Sequence, residues 1–245
     1  MTKRLLAALA CWLPLLAAAQ QLTVSAAASL TDAFKAIGQR FEATRPGVTV
    51  RFNIAASGVL AQQIVQGAPV DVFASADPDS MDRAVAQRAI AVDTRRDFAA
   101  NALVLVTPPG SAVQRLTDLA GPAVKRIAIG KVASVPVGRY TQQALSSAQL
   151  WPALAPKLVF ADNVRQVLDY VARGEVEAGF VYRSDAGIAG SKVRVAATVT
   201  GHAPIRYPVA AVADSRQPAL ARDFIGFLHG AEAQAILARH GFAQP

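Results

Sequence analysis

Cysteine is almost absent from this sequence. Its one cysteine, Cys11, lies in an N-terminal segment with the features of a signal peptide. A mature chain without cysteine has no disulfide bond, no thiol nucleophile and no cysteine ligand for a metal. Histidine is also scarce, with three residues, and the His, Asp and Glu residues show no paired spacing such as H-x-x-x-H. We therefore expect no cofactor and no direct metal ligands.

Long hydrophobic runs are missing apart from one near the N-terminus. Lys3 and Arg4 precede an apolar stretch at 5–16, and three alanines follow at 17–19. The apolar stretch is too short to cross a bilayer, and the order of these parts is typical of a cleavable signal peptide. We predict that residues 1–19 are a signal peptide and that the mature chain is exported to the periplasm.

Clusters of basic residues are missing as well, although the chain carries 25 Lys and Arg against 17 Asp and Glu, a formal net charge of +8. The basic side chains lie singly or in pairs, such as Arg95 with Arg96, without interleaved aromatic residues. A nucleic-acid interface typically concentrates its basic residues in one stripe. We therefore expect no nucleic-acid partner, and the excess charge indicates a generic basic surface.

Linkers rich in Gly, Pro or Ser are also missing, and strand-like segments alternate with helix-like segments along the chain. Two series of such units favour an α/β fold with two lobes that face each other across a ligand cleft. We predict that residues 20–102 and 206–245 form lobe 1 and that residues 103–205 form lobe 2. The predicted strands are 22–27, 48–54, 70–75, 102–107, 127–130, 158–160, 178–182 and 207–212, and the best-defined helices are 30–41, 57–66, 220–228 and 231–239.

Four predicted helices begin directly after a strand or a tight loop, at Ser29, Ser57, Val137 and Val164. The first amides of a helix have no partner within it and carry partial positive charge. Several that converge on one cleft would bind an anion, and the serine hydroxyls add donors. Each position also has an ordinary alternative. Either serine can cap its own helix, and Asp162 is predicted to cap the helix that begins near Val164.

Short motifs stand in a fixed order along the chain. They are AAASL at 26–30, ASG at 56–58, GAPVDVF at 67–73, SAD at 75–77, VPVG at 135–138, DNVR at 162–165 and VYRSDA at 181–186. Their content and order resemble the molybdate-binding periplasmic protein family (ModA type), and the resemblance extends over residues 22–242. It implies a type II periplasmic binding protein, an α/β protein of two lobes with the ligand cleft between them.

The resemblance also implies which residues bind the ligand. Ser29 and Ser57 would each give a hydroxyl and a backbone amide to the oxygens of an oxyanion. Val137 and Val164 would give backbone amides, and Tyr182 would donate its phenol. Without the resemblance, Tyr182 at the end of an apolar strand is more simply interpreted as a rim residue with its hydroxyl in water.

This sequence departs from the family pattern at two of the matched places. Val137 stands where the family often has alanine, and Asn163 stands where an acidic residue is common. A backbone donor does not depend on its own side chain, so Val137 keeps its predicted role, although its bulk can alter the packing beside the pocket. Asn163 changes the local field of the pocket without removing a donor.

The function that the resemblance implies is capture of molybdate, and of tungstate because the two ions are nearly the same size. The protein would be a monomer, not an enzyme, and would deliver its ligand to the permease and ATPase of an ABC transporter. Two alternatives stay open. One is binding of another oxyanion, such as sulfate or phosphate. The other is a serine-dependent hydrolase, which no G-x-S-x-G turn supports.

Overall fold

The computed structural model describes residues 20–245. The predicted signal peptide, residues 1–19, and Cys11 lie outside the described residues. Ten strands and nine α-helices make up residues 20–245, with short 3-10 turns between some of them. In this part of the chain, no helix combines the length and the apolar composition that crossing a bilayer requires.

The elements follow one another as alternating strands and helices for most of the chain. The strands are β1 Gln20–Ala27, β2 Val48–Ala55, β3 Val72–Ala74, β4 Arg96–Asn101, β5 Leu103–Thr107, β6 Ile127–Gly130, β7 Leu158–Ala161, β8 Ala178–Tyr182, β9 Arg194–Thr198 and β10 Ile205–Ala211. The α-helices are α1 Thr31–Ala43, α2 Ser57–Val65, α3 Pro78–Ala86, α4 Pro136–Ser147, α5 Trp151–Leu154, α6 Val164–Ala172, α7 Arg183–Ala189, α8 Pro218–Leu228 and α9 Ala231–Arg239.

The ten strands form two five-stranded sheets that share one plan. The strand order is β2-β1-β3-β10-β4 in the first sheet and β7-β6-β8-β5-β9 in the second. In the first sheet β1 is parallel to β2 and β3, while β10 is antiparallel to both of its neighbours. In the second sheet β6 is parallel to β7 and β8, and β5 takes the antiparallel place. The predicted α/β class with two lobes is confirmed.

The chain crosses between the two sheets at two neighbouring places. β4 ends at Asn101 and β5 begins at Leu103, so only Ala102 separates strands of different sheets. The return connection runs from the end of β9 to the start of β10, and it is tied to the first crossing because the amide of Val199 donates to the carbonyl of Leu103 at 2.9 Å. Two short adjacent connections are the usual structure of a hinge between lobes.

Aromatic side chains on α1 and α8 build the core of the first lobe. Phe34, Ile37 and Phe41 recur at the helical spacing on α1, and all three are fully buried. The Phe34 ring centroid lies 5.7 Å from that of Phe98, and the Phe41 centroid lies 5.1 Å from that of Phe224. Each such side chain stabilises the fold by roughly 1.5–3 kcal/mol when it leaves water. This core packs α1 against β4 and α8.

Candidate functional site

One small cavity between the two lobes brings together all five residues that the sequence predicts as ligand-binding. Its volume is about 10 Å³, whereas four grooves elsewhere on the described surface measure about 320 to 540 Å³. Pockets for drug-sized ligands begin near ~300 Å³, so this cavity excludes organic solutes of that size. The lining residues are Ala27, Ala28, Ser29, Ala56, Ser57, Ala76, Val135, Pro136, Val137, Asn163, Val164 and Tyr182.

Ser29 lies in a short 3-10 turn, Ala28–Leu30, that joins β1 to α1. Its side chain is 2 % exposed, and its Oγ lies 3.1 Å from the hydroxyl of Tyr207. The residue before α1 is Leu30, and neither the turn nor α1 has a side-chain cap. The alternative in which Ser29 caps its own helix is therefore wrong, since its hydroxyl bonds to another strand and borders the cavity.

Ser57 is the first residue of α2, and Ala56 occupies the cap position without a side-chain hydrogen bond. The Ser57 side chain is fully buried, and its Oγ accepts a hydrogen bond from the amide of Ala76 at 2.9 Å. The helix-cap alternative is wrong here too. Because the amide of Ala76 can only donate, the hydroxyl hydrogen of Ser57 remains free for an acceptor in the cavity.

The second lobe brings the starts of two helices to the cavity. Pro136 opens α4 and has no N–H, so the amide of Val137 is the first donor of that helix. Val164 is the first residue of α6, and the Asn163 side chain caps this helix by accepting from the amide of Gln166 at 3.0 Å. Both helix starts therefore present amides with no partner inside the helix, together with the positive end of the helix dipole.

The prediction that Asp162 caps α6 is wrong. A cap accepts from the second or third amide of the helix and so must directly precede its first residue, which is the place of Asn163. The Asp162 carboxylate pairs instead with Lys131 at the exposed surface. Asn163 thus supplies the cap without adding a negative charge to the lining of the cavity.

Tyr182 ends β8 and is 1 % exposed, so the interpretation as a rim residue with its hydroxyl in water is wrong. Among the described residues, its hydroxyl has no hydrogen-bond partner. Burial raises the pKa of Tyr182 well above its usual value, with smaller contributions from its neighbours, Tyr207 first. The phenol therefore stays protonated near neutral pH. A buried donor without a partner at a cavity wall is ready to bond to an acceptor inside it.

None of the twelve lining residues is charged. Charged side chains lie just outside and join the two lobes. Arg139 on α4 pairs with Asp77 and donates to Ser80 on α3 at 3.0 Å. Arg165 on α6 lies 2.8 Å from Asp32 on α1. These pairs hold the lobes together on either side of the cavity. The sequence motifs contain some of these residues but did not predict that they pair across the lobes.

A backbone contact completes the join between the lobes. The amide of Gly58 on α2 donates to the carbonyl of Ser134 in the loop before α4 at 3.0 Å. A Cβ atom at Gly58 would lie 2.5 Å from that carbonyl oxygen, a distance that real Cβ atoms do not show. Glycine is therefore required for this approach, and the described cleft is closed.

Comparison with known proteins agrees with this architecture. The family profile of bacterial extracellular solute-binding proteins matches residues 22–243. The chain belongs to this family. A molybdate-binding protein ModA of Escherichia coli (strain K12) is 40% identical to it, over 91% of this chain and 88% of that protein. A protein of Bacillus subtilis (strain 168), named as a substrate-binding lipoprotein of an ABC transporter, is 37% identical over 90% of this chain and 85% of that protein.

A solved structure points the same way. The periplasmic molybdate-binding protein of Azotobacter vinelandii superposes with a TM-score of 0.79 at 25% identity, covering 91% of this chain and 99% of that one. The predicted resemblance to ModA-type proteins is confirmed. These relatives are solute-binding proteins and not enzymes, as the sequence predicted for this chain.

The serine-hydrolase alternative finds no support in the site of this solute-binding protein. Within the described residues, no histidine borders the cavity beside Ser29 or Ser57. His202 contacts the carbonyls of Ala203 and Val199, and His229 contacts that of Ile225. Residues 20–245 also hold no group of three or more His, Cys, Asp or Glu side chains placed to bind a metal ion.

One buried acid lies behind the cavity. Asp185 on α7 is fully buried, and its carboxylate lies 2.6 Å from the Arg165 guanidinium. Burial raises the pKa of Asp185 to about 6, although the charge of Arg165 acts in the opposite direction. The same guanidinium donates to the carbonyl of Ser29 at 3.3 Å. Asp185 therefore holds the arginine that reaches across the cleft to the start of α1.

Proposed function

We propose that this protein captures molybdate, and tungstate equally well, in the cavity between its lobes and delivers it to an ABC importer. One observation carries the proposal. The buried cavity is lined by neutral hydrogen-bond donors from both lobes, with no charged side chain among its lining residues. The predicted donors are the hydroxyls of Ser29 and Ser57, the amides of Val137 and Val164, and the phenol of Tyr182.

A dianion gains more from such a site than a neutral solute does. Hydrogen bonds to a charged partner contribute about 1.5–3 kcal/mol each, because the local dielectric is low and the donors are already oriented. Helix starts add the favourable end of the helix dipole, by about 0.3–1 kcal/mol each. Neutral donors also leave no mobile proton, so the bound anion keeps one protonation state.

Phosphate fits this site poorly. It carries a proton near neutral pH and therefore needs an acceptor in the site. The lining offers no carboxylate, since Asp77 pairs with Arg139 and Asp185 pairs with Arg165 outside the cavity. Molybdate and tungstate carry no proton under these conditions, so every donor can be used.

Sulfate has the shape and charge of molybdate but shorter bonds. In a rigid ring of donors it reaches fewer of them at once, and each buried donor left without a partner costs about 1–3 kcal/mol. Tungstate has nearly the bond lengths of molybdate, so the two should bind alike. Size, and not charge, then separates the preferred ligands from sulfate.

Delivery to the transporter follows from closure of the lobes. We assign residues 20–102 and 206–245 to lobe 1 and residues 103–205 to lobe 2, with the hinge at the two crossings. Donors from both lobes surround the ligand, so binding favours the closed form, which the permease and ATPase would recognise. In this proposal the protein acts as a monomer in the periplasm.

Calorimetric titration of the purified protein with molybdate, tungstate, sulfate and phosphate tests the proposal. We expect tight binding of molybdate and tungstate, at least about 100-fold weaker binding of sulfate, because two or more unpaired donors cost this much, and no measurable binding of phosphate. Thermal unfolding gives an independent readout, because a tight ligand raises the melting temperature by mass action. Preference for sulfate or phosphate, or no binding of molybdate, would overturn the proposal.

A further inference from the structure

A chain of hydrogen bonds runs behind Ser29, away from the cavity. The hydroxyl of Tyr207 on β10 lies 3.1 Å from Ser29 Oγ. Asn101, the last residue of β4, donates from its Nδ2 to the Tyr207 hydroxyl at 3.4 Å and to Ser184 Oγ at 2.8 Å. Its Oδ1 accepts from the amide of Ala102 at 2.9 Å. This series of hydrogen bonds therefore begins at the hinge and ends at a predicted ligand-binding residue.

The hydrogen bond from the Ala102 amide to Asn101 determines which atoms donate in the other bonds of the series. A backbone amide can only donate, so the Asn101 atom that faces Ala102 is the acceptor oxygen and the atom that faces Tyr207 is the donor nitrogen. The Tyr207 hydroxyl then receives a hydrogen bond from Asn101. Its own hydrogen is left for Ser29 Oγ, the other polar atom recorded against it.

The proton on Tyr207 is firmly held. Its side chain is fully buried, and burial raises the pKa of Tyr207 well above its usual value. A hydroxyl has one hydrogen, so Ser29 Oγ, which accepts from Tyr207, must direct its own hydrogen elsewhere. The cavity is the space that Ser29 borders.

The Ser57 hydroxyl is also held as a donor, but by a backbone amide instead of a side chain. Its Oγ accepts from the backbone amide of Ala76, so its hydrogen also faces away from the protein donor. In the first lobe, both predicted serine ligands are thus held as donors by a hydrogen bond from behind. For Ser57 the backbone does this, whereas for Ser29 a side chain does, and only the side chain can be removed by substitution.

We propose that Tyr207, oriented by Asn101, is a positioning residue that makes the Ser29 hydroxyl a fixed donor and thereby favours oxyanions without a proton. This inference rests on the proposed function and adds a specificity determinant that does not line the cavity. Without the Tyr207 hydroxyl, Ser29 Oγ is free to rotate. It can then accept as well as donate, so molybdate binds less tightly and a protonated anion such as hydrogen phosphate is penalised less.

The substitution Tyr207→Phe removes the hydroxyl and keeps the ring. The ring packs edge-on against Phe98 and Phe242 and against Tyr182, at centroid distances of 6.3, 5.4 and 5.9 Å, and these contacts are retained. We expect molybdate affinity to fall about fivefold, the effect of misorienting one donor to a charged group. Tyr140→Phe is the matched control. It removes a phenol from a residue that is also buried but lies on α4 outside the cavity lining, and affinity should not change.

A double-mutant cycle separates positioning from a general structural effect. If Tyr207 acts through Ser29, then Tyr207→Phe has no further effect on molybdate affinity in a Ser29→Ala protein. A structural role predicts the same loss in both backgrounds, and that result would overturn the proposal. The second readout is selectivity: at neutral pH, excess phosphate should compete measurably with molybdate for Tyr207→Phe and should not compete for the unmodified protein or for Tyr140→Phe.

Asn101→Ala provides a second variant if Tyr207→Phe does not fold. It removes the donor to Tyr207 without changing the ring, and we expect a loss of about two- to threefold in affinity that vanishes in the Ser29→Ala background. Binding by the unmodified protein separates failure of the proposed function from failure of the positioning role. If it binds no oxyanion, the proposed function fails, whereas normal binding together with an unaffected Tyr207→Phe protein refutes the positioning role alone.

Discussion

The two lobes contribute chemically different donors to one cavity. The first lobe offers serine hydroxyls, and each of them is held from behind by a hydrogen bond from another part of the lobe. The second lobe offers helix starts, where the donor is a backbone amide, and one buried phenol. A hydroxyl can turn and must be oriented by neighbours. An amide is oriented by its helix, so its own side chain matters little.

Removal of the hydroxyls should have the largest effect. We expect Ser29→Ala or Ser57→Ala to weaken molybdate binding by tenfold or more, and the double variant by about 100-fold or more, because each loses a bond to a charged ligand worth about 1.5–3 kcal/mol. Isothermal titration calorimetry measures these losses. Ser25→Ala is the control, since Ser25 is equally buried but accepts from Asn53 away from the cavity. An unchanged affinity in either single variant would remove that serine from the site.

Closure of the lobes should depend strongly on Arg139. The pair with Asp77 joins the lobes, and the two side chains are 14% and 3% exposed. Arg139→Gln leaves a buried carboxylate without its partner only when the cleft is closed, so we expect molybdate affinity to fall about tenfold, mainly through faster release. Stopped-flow measurement of release tests this. Arg126→Gln, which breaks an exposed pair with Glu177 within the second lobe, should leave the rate unchanged. Equal rates in both variants would contradict a role in closure.

The pH dependence of stability should report the buried acid behind the cavity. The folded pKa of Asp185, about 6, lies above its unfolded value near 3.8, so the folded state binds a proton more tightly. Its contribution to stability is therefore complete below pH ~4 and is lost as the pH rises through ~6, by about 3 kcal/mol. Urea unfolding of wild type and Asp185→Asn at pH 4 to 7 measures the difference. If both proteins show the same slope, the carboxylate does not titrate in this window.

Val137→Ala should show the smallest effect, and a pair of substitutions at Val137 tests the second lobe directly. Val137→Ala keeps the backbone donor, so we expect affinity to change less than about twofold. Val137→Pro removes the N–H at a position in the first turn where proline is tolerated, together with the buried valine side chain, and affinity should fall about tenfold. A large loss in the alanine variant would show that the side chain, and not the amide, is what matters at this position.

The sequence predicted the architecture because its strands and helices carry strong patterns. The strands at Ile127–Gly130 and Ala178–Tyr182 and the helix at Ala231–Arg239 have the predicted bounds. β4 and β9 were not predicted, since β4 begins with two charged residues and β9 is a partly exposed edge strand. Strands of this kind are recognised by their partners in the sheet and not by their own composition.

The candidate site was predicted in part, for a similar reason. The five residues that the motifs select all line one cavity, although their roles as ligands remain predictions. The residues behind and beside the cavity were missed. Tyr207 and Asn101 come from strands far along the chain, and Arg139 meets Asp77 only after two lobes close. Such contacts leave no local pattern, because they depend on how distant segments pack.

The contact between Gly58 and Ser134 adds a consequence for ion selectivity. The two backbones already touch, and the glycine leaves no room for closer approach. This contact is a mechanical stop, and it defines the narrowest gap that the lobes can leave between them. For an ion smaller than that gap, the lobes cannot close far enough to bring the donors of both lobes into contact with it. The limit on closure therefore disfavours a smaller anion of the same charge. Gly58→Ala would hold the lobes further apart, so we expect it to shift the preferred ionic radius upward.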